Sequence, residues 1–370
     1  MIDTTVFDTG RIYTPPTRSI FLQSGFGLLD SIHRPHQELF DLYKKQKRLD
    51  WDENEFNLEA CQVEFLSRPK HLSEKMLNTL AWQWEGDSVA AHSIAPVVAP
   101  FLSDDDAWLA YQRISDNEGL HALSYSEIVK LGLGGDASQR MKEILDNQAS
   151  LKRLNTVARN MGIVKRAGAK LVLGMIDRNS DEAIDAAMLF VCTMLGLERI
   201  QFMQSFAITF ACGELGAFMP IVETVQKIAT DEWTVHIPTN KYVLQNEMSV
   251  PRSAQALKRI QPAVEEMYWE IMSSEVAWNR NSLHADGKEM TGVTPAMLEN
   301  WAYFGMTDLY KTFGWTNPHR EVYHNPLPYM EDWMNINRNQ GSPQEKRGGN
   351  YLLGGVVKSS EEAVFDVDDL

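Results

Sequence analysis

The sequence predicts an all-α protein, a bundle of long helices, and three observations carry that expectation. Apolar residues recur at helix spacing over residues 71–100, 104–131, 137–162, 180–211, 214–247, 253–274 and 295–313. Strand-like alternation bounded by hairpin turns is rare. The breaks carry helix punctuation: Asp104–Asp106 as a start, Gly132–Gly135 as a stop, and Pro251 and Pro295 as first-turn residues. Lys44, Lys45, Lys47 and Arg48 gather at the end of one more expected helix, where cations suit the C-terminal end of the dipole. With 370 residues and 44% apolar content, the chain can fill a sizeable core without covalent staples.

Composition narrows the function classes. Cys61, Cys192 and Cys212 are widely spaced, form no CxxC or Cys/His pairing, and read as core residues of a reducing compartment. The start, MIDTTVFDTGRIY, has neither the basic opening nor the apolar centre of a signal peptide. The longest apolar run, Ala186 to Leu197, is far short of the roughly 20 residues that cross a membrane. A soluble, cytoplasmic protein is expected. The formal charge of −15, with no local basic stripe, disfavours direct contact with a nucleic-acid backbone.

Composition shifts near residue 335. A helical domain is expected over 1–335 and a flexible tail over 336–370, because Asn335 to Asn350 is polar and rich in turn formers. Beyond it stand Tyr351-Leu352-Leu353-Gly354-Gly355 and an acidic end, Glu361 to Leu370, with apolar residues interleaved. Such an end suits a peptide that docks on a partner; a solubilising acidic tail is the plainer alternative.

The chemistry concentrates in one constellation. Glu118-x-x-His121-x-x-x-Tyr125 lies within an expected helix, and at about 100° per residue the three side chains share one face. A carboxylate and an imidazole three apart are the ligand pair used by dinuclear sites inside helix bundles, where two further helices each add a carboxylate. Asp231-Glu232-Trp233-Thr234-Val235-His236 supplies a second acid and imidazole, and Asp87 and Glu198 are lone acids ahead of the two pairs. The separations are similar, 31 residues from Asp87 to Glu118 and 34 from Glu198 to Glu232, as two stacked helix hairpins require. Ordinary readings compete: Glu85 could replace Asp87, and Glu198 could pair with Arg199 at the surface. Against the latter, Glu198 sits between apolar runs, where an unpaired charge is costly. His92, His284 and the other histidines are read as structural.

The order Asp, Glu-x-x-His-x-x-x-Tyr, Glu-x-x-x-Phe-x-x-x-Phe, then Asp-Glu with a following His resembles the class I ribonucleotide reductase small subunit from about residue 40 onward. That resemblance implies a ferritin-like helical bundle, a homodimer, and a dinuclear metal–tyrosyl radical cofactor assembled with O2. The metal would be iron, with manganese equally suited to these ligands. By resemblance Asp87, Glu118 and His121 bind one metal, Glu198, Glu232 and His236 the other, and Tyr125 carries the radical. Phe202, Phe206 and Ile228 match the family's apolar pocket. Trp51 and Asp231 match its radical path, and Tyr351 the tail residue that relays to the large subunit. Asn325 to Asn335, NPLPYMEDWMN, resembles the segment before the tail. A di-iron oxidase with its own small substrate, or a non-catalytic iron-binding bundle, would use the same ligands but not Trp51, Tyr125 and Tyr351. One feature departs from the family: Glu232 and His236 are four apart, not three, so a local helix bulge is expected between them.

Overall fold

The computed structural model describes residues 6–335, apart from 12, 14–18, 281–289 and 291. The expected tail, with Tyr351 and the 365–370 end, lies outside the described residues, as does His284.

Thirteen α-helices follow one another among the described residues: α1 (Gln37–Arg48), α2 (Cys61–Ser67), α3 (Lys70–Val98), α4 (Asp105–Glu127), α5 (Ala137–Leu145), α6 (Gln148–Val172), α7 (Asp181–Gly196), α8 (Met203–Glu214), α9 (Met219–Asp231), α10 (Ile237–Met248), α11 (Pro251–Trp278), α12 (Pro295–Phe313) and α13 (Tyr329–Met334). No strand occurs among them, only isolated bridges such as Phe21 with Leu102. Caps explain the boundaries. The Asp104 carboxylate accepts from the Ala107 amide, and Pro251 and Pro295 open their helices. The single helix expected over 137–162 is two: the Asn147 side chain accepts from the Ser150 amide and starts α6 afresh. An asparagine in mid-pattern carries no helix-period signal of its own, yet its side chain satisfies an amide that no preceding turn can serve. The helix expected from residue 214 begins later, at Met219, because Gly216 and Phe218 both adopt positive φ.

π-Helical turns interrupt these rods at several places among the described residues. Ile128–Gly132 ends α4, Leu197–Phe202 joins α7 to α8, and Glu232–His236 joins α9 to α10. The long α3 packs on α4, α6 and α8, while α7 packs on α6, α10 and α11, and α8 on α9. The apolar run that stopped short of a membrane span is the buried centre of this bundle, and no helix among the described residues is long and apolar enough to cross a membrane. Close approach at Gly305 seats α12 against the 197–202 turn: a Cβ there would lie 2.9 Å from the Arg199 carbonyl oxygen. The three cysteines are buried thiols, as expected.

Candidate metal centre

Four rods converge on one buried point. Asp87 comes from the middle of α3, Glu118 and His121 from α4, Glu198 from the π turn after α7, and Glu232 and His236 from the π turn after α9. All six are 0% exposed. They fall into two overlapping groups whose ligand atoms lie within 4.8 Å of one another: Asp87, Glu118, His121 and Glu232 in one, and Glu118, Glu198, Glu232 and His236 in the other. Glu118 and Glu232 belong to both, so each would lie within reach of either of two ions held there.

The π turn at Glu232–His236 resolves the spacing anomaly. Such a turn absorbs one extra residue, so His236 stands where a residue three beyond Glu232 would stand in an unbroken helix. Its Nδ1 lies 2.7 Å from Glu232 Oε2 and 3.3 Å from Glu118 Oε1. His121 Nδ1 lies 3.2 Å from Glu232 Oε1 and 3.5 Å from Glu118 Oε2.

The donor set fits two divalent ions. Both carboxylate oxygens of Asp87, Glu118, Glu198 and Glu232, and the Nδ1 atoms of both histidines, are buried without a hydrogen-bond partner. Native interiors do not tolerate such a collection of bare polar atoms unless a ligand completes it. Four carboxylates with two neutral imidazoles carry a formal charge of −4, which two divalent cations neutralise. Burial and the neighbouring Glu118 charge push the Asp87 carboxyl far above the usual carboxylate range, and burial lifts Glu198 to about 7. Burial followed by repulsion from Glu118 and Glu198 does the same to Glu232. Glu118 goes the other way: burial is outweighed by the close imidazoles of His121 and His236, which hold it at about 2.

Hydrogen bonds to Asp231 and Asn117 tie the histidines in place. His121 Nε2 lies 3.2 Å from Asp231 Oδ2, and the same oxygen accepts from Trp51 Nε1 at 2.9 Å and from Asn117 Nδ2 at 3.2 Å. Asn117 Oδ1 faces His236 Nε2 at 3.0 Å, so this one amide orients both halves of the centre. The Trp51 ring stacks on His121 with centroids 6.1 Å apart and planes at 23°. Asn117 was not singled out from the sequence; its only signal was an uncharged polar residue four positions before His121 on the same helix.

Tyr125 sits one turn beyond His121, fully buried, and its hydroxyl has no hydrogen-bond partner among the described residues. Burial, then the Asp87, Glu232 and Glu118 charges, push its ionisation well above the ordinary phenol range. Phe202, Phe206 and Ile228 are all fully buried. Phe202 stacks on Phe206 at 5.9 Å and abuts Gly86, where a Cβ would come within 3.1 Å of its ring. The two competing readings fail on geometry. Glu85 turns away to accept from the Ser150 hydroxyl at 2.5 Å, and Arg199 is buried and pairs with Asp308 at 2.7 Å. His92 is exposed, and its Nδ1 donates to the Ser88 carbonyl oxygen of its own helix at 2.8 Å.

No family model matches the chain. Among curated proteins it is 23% identical over 385 residues to the ribonucleoside-diphosphate reductase subunit beta of Enterobacteria phage T4, covering 98% of each chain. Among solved structures it is similar to the ribonucleotide reductase R2 subunit from Clostridium botulinum, with a TM-score of 0.74 at 15% identity, covering 91% of this chain and 99% of that one. An R2-like ligand-binding oxidase with a Mn/Fe cofactor is more distant, with a TM-score of 0.56 at 14% identity over 75% of this chain and 93% of that one. The structural likenesses establish the ferritin-like R2 fold. With that fold, the chain is similar from end to end to ribonucleoside-diphosphate reductase beta subunits.

Proposed function

We propose that this chain, as the small subunit of a ribonucleoside-diphosphate reductase, assembles a dinuclear metal–tyrosyl cofactor with O2 and passes an oxidising equivalent to a large subunit. The large subunit then reduces ribonucleotides to deoxyribonucleotides. One juxtaposition carries the reading: Tyr125 follows Glu118 and His121 on one buried helix, and Trp51 is joined through Asp231 to the far side of the His121 ring.

Asp87, Glu118 and His121 would hold one ion and Glu198, Glu232 and His236 the other. Two ions so held, iron or manganese, supply on meeting O2 an oxidant able to take an electron from a phenol. Tyr125 is protonated until that moment, since its surroundings oppose the phenolate, and it gives up an electron together with its hydroxyl proton. Phe202, Phe206 and Ile228 exclude water and reductants from the resulting phenoxyl. Asp231 holds the His121 tautomer and accepts the Trp51 N–H, which makes Trp51 the exit from the buried centre. Tyr351 in the tail continues the relay, and the end of the tail, Phe365–Leu370, anchors the large subunit of a homodimeric small subunit.

The test adds ferrous iron and O2 to metal-free protein and looks for the phenoxyl spectrum. Wild type should show it and Tyr125→Phe should not. Failure of wild type with both iron and manganese would refute the assignment. Deleting residues 336–370 should leave the radical in place while abolishing reductase activity with the large subunit.

A further inference from the structure

Lys227 is buried, with 3% of its side chain exposed, yet no part of the metal centre uses it. It lies on α9 four residues before Asp231, so the two share a helix face and address Trp51 from different sides. Asp231 accepts the indole N–H, while the Lys227 ammonium stands 5.8 Å from the indole centroid and 5.5 Å from the Phe56 ring. Glu55 holds it there through an ion pair with one carboxylate oxygen. The other oxygen of Glu55 accepts from the Asp52 amide at 3.1 Å, which fixes the pair to the loop that begins at Trp51.

A cation facing an aromatic ring is attracted to the neutral ring and repelled once the ring has lost an electron. We infer that Lys227 is a positioning residue for the oxidising equivalent: its ammonium keeps the electron hole from resting on Trp51, and Glu55 sets the strength of that effect. The inference rests on the relay reading of Trp51 given above. In the step concerned, one electron leaves the Trp51 ring and reduces the Tyr125 phenoxyl, which takes back the proton it gave up on oxidation and returns to the phenol. Trp51 keeps its Nε1 proton on the hydrogen bond to Asp231 and is left as a ring cation. Lys227 disfavours that cation, so the hole passes onward instead of accumulating.

The experiment uses the full-length, ferrous-loaded protein with Tyr125→Phe, in which the oxidant generated from O2 draws the electron from Trp51 directly. Stopped-flow absorption and freeze-quench EPR follow the indole cation radical after mixing with O2, with Trp51→Phe as the control that assigns the signal. Lys227→Met should raise the radical's peak amount or lifetime on the order of tenfold, and Lys227→Arg should restore the parent behaviour. Glu55→Gln, at a position with 31% of the side chain exposed, should lower the signal by a similar factor. Signals within about twofold of the parent in both variants, or a shift in the same direction in both, would overturn the role of Lys227 and leave the relay standing. Absence of any Trp51-dependent radical in every protein would overturn the relay itself, and the inference with it.

Discussion

Asn117→Ala removes the amide that links the two halves of the centre. In the intact protein that side chain is 1% exposed, donates to Asp231 at 3.2 Å and faces His236 Nε2 at 3.0 Å. The two losses are unequal. Asp231 keeps its contacts to Trp51 and His121, so it forgoes one donor of three and about 1 kcal/mol. Asn117 Oδ1 is the partner of His236 Nε2 among the described residues, so the ring loses the contact that fixes its tautomer, which costs about 1–3 kcal/mol. Losses of outer-shell partners weaken metal binding by roughly 10–100-fold, which agrees with that range at about 1.4 kcal/mol per factor of ten. The weakening should fall on the Glu198/His236 position and largely spare the Asp87/His121 position. Titrating metal-free protein with Mn(II), and counting free ion by EPR, reads the two affinities separately. A loss below about threefold at the weaker position, or an equal loss at both, would show that His236 is not held through Asn117.

Other perturbations follow from the same geometry. In metal-free protein, Tyr125→Phe deletes a buried hydroxyl that has no partner, so urea unfolding should show stability unchanged or raised by up to about 1 kcal/mol; a loss larger than that would mean the hydroxyl is bonded. Glu275→Ala strips Arg153 of its bidentate partner while leaving the guanidinium 3.8 Å from the rings of both Trp82 and Trp278, and should destabilise by about 3–5 kcal/mol. Combining Arg153→Met with Glu275→Leu should recover most of that loss, and a double variant as unstable as the single one would contradict a charge-based cause. Burial lifts Glu85 from an ordinary 4.5 to about 7. An acid raised in this way binds its proton more tightly in the folded state, so its contribution is full below pH 4.5 and is lost as pH rises towards 7. Glu85→Gln should flatten the decline in stability over that window, and an unaltered slope would assign the decline to other groups. Finally, chelating the metal should lower the unfolding temperature in a concentration-dependent manner, with free ion at 1,000 times its Kd worth about 4 kcal/mol; identical melting with and without metal would refute a buried dinuclear site.

The bundle was legible because helix periodicity is a local signal that burial on one face amplifies, and α6 shows it plainly in the buried Leu154, Val157, Met161, Val164 and Gly168. The Glu/His pairs were legible for the same reason, since ligands on one helix must return to one face every three or four residues. Even the off-by-one spacing of Glu232 and His236 pointed to a bulge, and the π turn at Glu232–His236 is where the extra residue is taken up. The break at Asn147 was missed because the hydrogen bond that makes it a cap looks, in sequence, like any polar surface residue.

What the sequence by itself determined, then, is of short range: most of the helices, starts such as Asp104, Pro251 and Pro295, the ligand types and the faces from which those ligands project. Tertiary structure alone decided which faces meet. It chose Asp87 over Glu85, buried Arg199 against Asp308, and set Asn117 between Asp231 and His236. It also brought Lys227 over Trp51, 176 positions away in the chain. No spacing rule reaches that far, because contacts between distant segments depend on how whole helices pack around a shared core.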